Sequence, residues 1–115
     1  MKTLKIFDLI GEDCVSGDDG RLLYSQMEPV LATGEQVELD FFGVDTVASP
    51  FFNAGIGRWL EKMDLKELEK KVHFSHLPSS APCLLKRVFE NAESFYSDPN
   101  YSRAVEDVMA KLISE

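Results

Sequence analysis

Apolar and polar positions alternate in a few short stretches of the chain, and between those stretches apolar residues recur at helical spacing. Leu4 and Ile6 alternate with polar neighbours and predict a first strand over residues 3–7. A second is expected near residues 13–15. Ser16-Gly17-Asp18-Asp19-Gly20 follows as a turn cluster whose aspartates suit a helix N-terminus, through capping and the helix dipole. The helix after it carries Leu22, Leu23, Met27, Val30 and Leu31 on one side and stops at Gly34, with Pro29 inside it to kink or shorten it. The clearest strand is Val37-Glu38-Leu39-Asp40-Phe41-Phe42, which alternates at first and then becomes wholly apolar, the pattern of a central strand covered by helices.

Residues 43–48 lead from that strand into a loop. Ser49 then reads as an N-cap and Pro50 as a first helical residue, opening a helix whose stripe is Phe52, Ile56, Trp59, Leu60 and Met63. Asp64-Leu65-Lys66-Glu67 resembles a capping box with Asp as its cap. Residues 72–74 predict another strand, and Ser80-Ala81-Pro82 opens a helix bearing Leu84, Leu85, Val88, Phe89 and Ala92. A short extended piece is expected at residues 94–96. Asp98-Pro99 then caps a last helix with Tyr101, Ala104, Val105, Val108, Met109, Leu112 and Ile113 on one face. Strands and helices alternating in this order imply an α/β domain.

With 115 residues, short gaps between periodic segments and no repeat or low-complexity linker, the chain is expected to form one domain over residues 1–115. No apolar run approaches the ~20 residues that span a bilayer, and Asp8 and Glu12 interrupt any secretory signal, so a cytoplasmic location is expected. The net charge of −8 weighs against nucleic-acid and membrane-surface roles, because such a field repels phosphates and anionic lipid heads. Lys66, Lys70 and Lys71 are interleaved with Glu67 and Glu69, the pattern of a solvated helix face. Cys14 and Cys83 are far apart and read as reduced thiols.

Catalytic constellations are sparse. Gly11, Gly17 and Gly20 are not followed by the Lys-Ser/Thr of a phosphate loop, and there is no Cys-x-x-Cys. His73 and His76 are three apart, which on a strand directs their rings to opposite faces and argues against a metal. Asp13, Asp18 and Asp19 lack the spacing of a calcium loop. Cys83, near a helix N-terminus, reads as a small buried residue beside Leu84. A thiol enzyme built on Cys83 with His73 or His76 has no visible orienting group. No cofactor and no metal are expected, and the chain is read as non-enzymatic.

The segment Leu39-Asp40-Phe41-Phe42-Gly43-Val44-Asp45-Thr46-Val47-Ala48-Ser49, leading from strand to helix, resembles the STAS domain of anti-sigma factor antagonists, and most of all the STAS-like family of unknown function. The likeness in order and spacing runs over residues 37–112. It takes in residues 72–77 as the next strand, 80–89 as the next helix, and Phe95-Tyr96-Ser97-Asp98 with Ala104-Val105 as the last strand and helix. It implies an α/β STAS-like fold, a mixed sheet of about four to five strands with about four helices. It also implies a non-catalytic regulatory module whose partner is a protein, such as a histidine-kinase-like ATPase.

In the classical members, the anti-sigma factor antagonists, a Ser or Thr in an Asp-Ser-Ser/Thr-Gly loop is phosphorylated at the helix N-terminus. Here Ala48 stands in place of the acid, Pro50 in place of the acceptor and Phe51 in place of the glycine. Ser49 keeps a hydroxyl, as candidate phosphoacceptor or as helix cap. Ser49, Pro50, Phe51 and Asn53 form the expected partner-binding surface. Phe51 is either exposed beside Pro50 and Asn53 or buried with Phe52 against the sheet. The alternative function is a small-ligand or nucleotide-binding module using the helix N-terminus at Ser49, although no basic side chain follows until Arg58.

Overall fold

Val37 and Leu39 are fully buried while Glu38 and Asp40, which alternate with them, are only half-buried, and this alternation sets the orientation of the whole sheet. The computed structural model describes residues 1–92 and 99–113. In chain order its elements are β1 (Lys2–Lys5), α1 (Ile6–Leu9), β2 (Asp13–Cys14), α2 (Gly17–Ala32), β3 (Val37–Asp40), β4 (Thr46–Val47) and α3 (Ser49–Gly55). A 3₁₀ helix (Gly57–Glu61), α4 (Leu65–Lys71), β5 (Val72–Ser75), α5 (Ala81–Glu90) and α6 (Pro99–Ile113) follow. The strand expected at residues 94–96 lies outside the described residues.

β3 is the middle of a three-stranded parallel sheet, β1-β3-β5, in which Leu4, Leu39 and Phe74 are in register, as are Lys5, Asp40 and Ser75. Val37, Leu39, Val72 and Phe74 give their side chains to the core. The other face is polar. There Thr3 and Ser75 donate to the Glu38 carboxylate at 3.3 and 2.7 Å, and His73 pairs with Gln36 at 2.7 Å. Parallel sheets usually bury both faces; this one has the alternation of a sheet with its core on one side. β2 and β4 form a separate two-stranded parallel pair. The strands are therefore all parallel and divided between two small sheets, not gathered in one mixed sheet, and six α-helices are described where about four were expected. β2 and β4 have two residues each and bond to one another, not to β3.

Local chemistry explains most element ends. The Ser16 hydroxyl accepts the Asp19 N–H at 3.1 Å and opens α2, which runs through Pro29 and is stopped by Gly34 at φ +81°. Asp64 caps α4 through the Glu67 N–H at 2.8 Å. The first strand ends at Lys5 and not at Phe7, because the chain coils into α1 and buries Ile6. The helix expected over residues 49–63 breaks at its glycines: α3 ends at Gly55, and tighter winding from Gly57 stacks Trp59 on Tyr24, ring centroids 4.3 Å apart.

Gly20 makes the closest helix contact. A Cβ there would lie 2.5 Å from the Phe51 carbonyl oxygen and 2.8 Å from Ala54 Cβ, so only glycine lets α2 and α3 meet at this distance. Gly20→Ala is expected to destabilise the fold by about 1 kcal/mol or more. Overpacking costs ~1–3 kcal/mol, which outweighs the gain in helix propensity of up to ~1 kcal/mol. Gly17→Ala, whose Cβ would meet only Arg21 Nη1 at 3.6 Å, should be neutral or slightly stabilising. Urea midpoints of the two variants check both; a Gly20→Ala protein as stable as the parent would show that the helices do not cross this closely.

Candidate functional site

The junction between β4 and α3 is built on the paired short strands. Cys14 is in register with Val47, and the Ala48 N–H continues the ladder to the Cys14 carbonyl at 3.1 Å. Two residues past the last pair on each strand come Ser16 and Ser49, and each begins a helix in a different way. Ser16 is a working cap. At the second junction Ala48 holds the cap position in extended conformation, Ser49 and Pro50 are the first helical residues, and no side chain caps the turn. The ladder bond holds Ala48 extended while its carbonyl already accepts the Phe52 N–H at 3.4 Å, so the helix begins one residue earlier than expected. Ser49 is thus not the N-cap, and its half-buried hydroxyl has no capping role.

Of the four residues expected to meet a partner, Pro50 and Asn53 are exposed, Ser49 is half-buried, and Phe51 is 0% exposed. Phe51 is therefore corrected from a docking residue to a core residue. The reason is that α3 packs against both α2 and α5 and has two buried flanks, not one. Phe51 and Phe52, side by side in sequence, are both enclosed, their rings edge to face at 5.5 Å, with Phe52 6.1 Å from Phe41. The first cation downstream, Arg58, lies over the Tyr24 ring at 4.5 Å, where it is engaged in a cation–π contact.

A second surface was not foreseen. β3 ends at Asp40 because the Asp40 carboxylate accepts the Phe42 N–H at 2.9 Å, and the Val44 N–H then closes a turn onto the Phe41 carbonyl through Gly43 at φ +92°. The His76 ring also donates from Nδ1 to Asp40, at 2.8 Å. The Phe42 N–H and then the His76 bond hold the Asp40 carboxyl below its ordinary pKa, with Lys5 adding a smaller effect. Phe42, expected inside a buried strand, instead stands 73% exposed at the turn, its ring edge-on to His76 at 5.5 Å. Phe7, 45% exposed, lies against Gly43, where a Cβ would come 3.1 Å from the ring. Lys5, Phe7, Asp8, Asp40, Phe42 and Gly43 line a cleft of about 400 Å³. The signal in the sequence was Asp-Phe-Phe-Gly, an aspartate two residues before the donor it binds, with a glycine next.

Both histidines reach the polar side of the sheet, contrary to the expectation from their spacing. The strand ends at Ser75, and His76 adopts φ +56°, which turns its ring to Asp40 while His73 meets Gln36. Among the described residues no group of three or more His, Cys, Asp or Glu side chains is arranged to hold a metal. Asp18 pairs with Arg21, and both Asp18 and Asp19 sit in the first turn of α2, where the helix dipole favours them, while the cap itself is the Ser16 hydroxyl and not an aspartate. Both cysteines are free thiols. Cys83 is exposed and not buried beside Leu84; the depression around it is lined by Ser79, Pro82, Lys86, Glu106, Met109 and Ala110, and neither histidine is among them. Cys14 is buried, and burial, followed by the nearby Asp19 and Asp13 charges, pushes its thiol up to about 11.

This α/β arrangement of parallel pairs, with a loop-to-helix junction after β4, corresponds to a known class. A family model described as a STAS-like domain of unknown function matches residues 19–80, just over half of the chain, and the chain belongs to this family. The match takes in almost all of α2 and everything from β3 to Ser80, including the Ala48–Ser49 junction, and ends before α5. No curated protein and no solved structure matches the chain. Among the described residues no helix is long and apolar enough to cross a membrane.

Two outcomes follow from these environments. At neutral pH a thiol reagent should modify Cys83 in the native protein and leave Cys14 untouched until denaturant is added, because the Cys14 thiol is both enclosed and protonated. Mass spectrometry of labelled peptides reads this directly, and equal labelling of the two would contradict it. Folding lowers the Asp40 pKa, so its contribution is complete above the ordinary carboxylate range and fades as pH falls through the lowered value. Asp40→Asn should therefore cost about 1 kcal/mol at neutral pH, with the difference from the parent closing in acid, as measured by urea midpoints across the range.

Proposed function

We propose that this protein is a non-catalytic regulatory module that docks to a protein partner through the start of α3. The partner class suggested by the family likeness is a histidine-kinase-like ATPase, met in the manner of an anti-sigma factor antagonist. The docking surface is Ser49, Pro50 and Asn53. The observation that carries this reading is the Ser49 hydroxyl: it sits at the first helical position, at the surface, without the capping bond that would account for a serine there. The helix beneath it is held on two flanks, so the surface is pre-formed and ordering it on binding costs little.

Phosphorylation of Ser49 would act as a switch in this scheme. A dianion added at this position faces the same end of the molecule as Asp18 and Asp19 in the first turn of α2 and repels a partner that tolerates only a neutral hydroxyl. The module's net charge of −8 favours a partner whose basic groups meet it outside the patch that faces Ser49, which is neutral or acidic.

The test is affinity capture from the native cell, with phosphosite mapping of the recovered chain and binding measurements on the purified partner. Ser49→Glu and Asn53→Arg should each weaken a specific partner by about tenfold or more while leaving circular dichroism unchanged. A partner that binds both variants as tightly as the parent would refute docking at this junction.

A further inference from the structure

The rim of the three-stranded sheet at the carboxyl ends of β1 and β3 carries a surface that the Ser49 junction does not use. Two aromatic rings stand out from it, Phe42 at 73% and Phe7 at 45% exposure, where an isolated domain would gain by enclosing them. Neither is loose. Phe42 is fixed by the Asp40 bond to its N–H and by the closed turn through Gly43, and Phe7 rests on Gly43 from a short helix anchored by buried Ile6. The cleft of about 400 Å³ that they border also carries Asp8, Asp40 and Lys5.

Charge identifies the occupant. The two segments that hold the rings, residues 6–13 and 40–46, also hold Asp8, Glu12, Asp13, Asp40 and Asp45, and they are tied together by the Asp45 and Thr46 N–H groups, which both donate to the Glu12 carbonyl at 2.8 and 3.0 Å. Lys5 is the one cation lining the cleft, against two carboxylates. Asp40 Oδ1 is occupied by Phe42 and His76, and its Oδ2 has no hydrogen-bond partner among the described residues. Phosphate groups and anionic lipid heads are repelled here, and a purely apolar guest would leave the carboxylates unpaired. A guanidinium suits both features: it stacks on aromatic faces and presents a planar fork of donors to carboxylates.

We propose that this cleft is a docking surface for a basic protein segment, an arginine side chain of which lies between Phe7 and Phe42 with its guanidinium on Asp8 and Asp40. This surface is separate from the Ser49 junction, and either can fail while the other stands.

The test is a titration of isotope-labelled protein with the peptide acetyl-Arg-Gly-Arg-amide, followed by amide chemical shifts. A matched peptide with citrulline in place of arginine and phosphatidylcholine–phosphatidylserine vesicles serve as comparisons. Shifts should concentrate at Phe7, Asp8, Phe42 and Gly43. Affinity should fall about tenfold or more for the citrulline peptide and for Phe42→Ser, and it should weaken with salt. The Phe42 ring is solvent-facing, so Phe42→Ser should keep the parent spectrum elsewhere. Absence of binding, shifts spread over all acidic segments, an equal response to citrulline, unchanged affinity in a folded Phe42→Ser protein, or binding to the vesicles in preference to the peptide would each overturn the proposal.

Discussion

The approach of α2 to α3 at Gly20 governs the rest of the molecule. With no side chain on Gly20, and none on Gly55 across from it, the two helices meet backbone to backbone. That contact draws α3 inward far enough for α5 to close over its other flank. Phe51 and Phe52 can then both be enclosed, although they project about 100° apart on the helix. The short β2–β4 ladder serves the same end: it delivers both chains to their helices side by side, so the helix starts are neighbours and the seam begins in register. A bulkier residue at the crossing would separate the helices and open the space that the two phenylalanines fill.

Much of this was legible in the residues. Ser16 and Asp64 announce their helices by a side chain placed to accept an N–H three residues on, and Gly34 announces its stop; such signals are local and survive without tertiary information. The order of elements and the STAS-like character were legible for the same reason. What misled was always a decision made by distant contacts. Phe42 follows five residues of good strand pattern, yet the Asp40 side chain takes its N–H and expels it. Phe51 is a second apolar residue beside a stripe, and only the packing of α3 between α2 and α5 buries it. The pairing of β2 with β4 involves two residues on each side, too few for any periodicity to register. His76 reaches Asp40 through a left-handed backbone that no pattern of side-chain types foretells.

The candidate site divides along the same line. The Ala48–Ser49 junction was visible because its strand–loop–helix order is a family trait. The Phe7–Phe42 rim was not, because its members lie just past the ends of separate strands and meet only when β1 and β3 pair in parallel with Lys5 beside Asp40. Both surfaces lie where strands end and loops begin, the customary place for function in open α/β sheets. The rigid parts beneath them differ: helix packing supports the first, and a hydrogen-bonded turn the second.

Trp59, the chain's one tryptophan, stacks on Tyr24 at the downstream end of the α2–α3 seam, and among the described residues its indole N–H meets no acceptor. Its emission is therefore expected to be that of a buried indole, with Tyr24 stacked on one face and the Lys62 ammonium 5.5 Å from the ring. The protein thus carries its own optical gauge of whether the two helices remain joined, readable without any added dye.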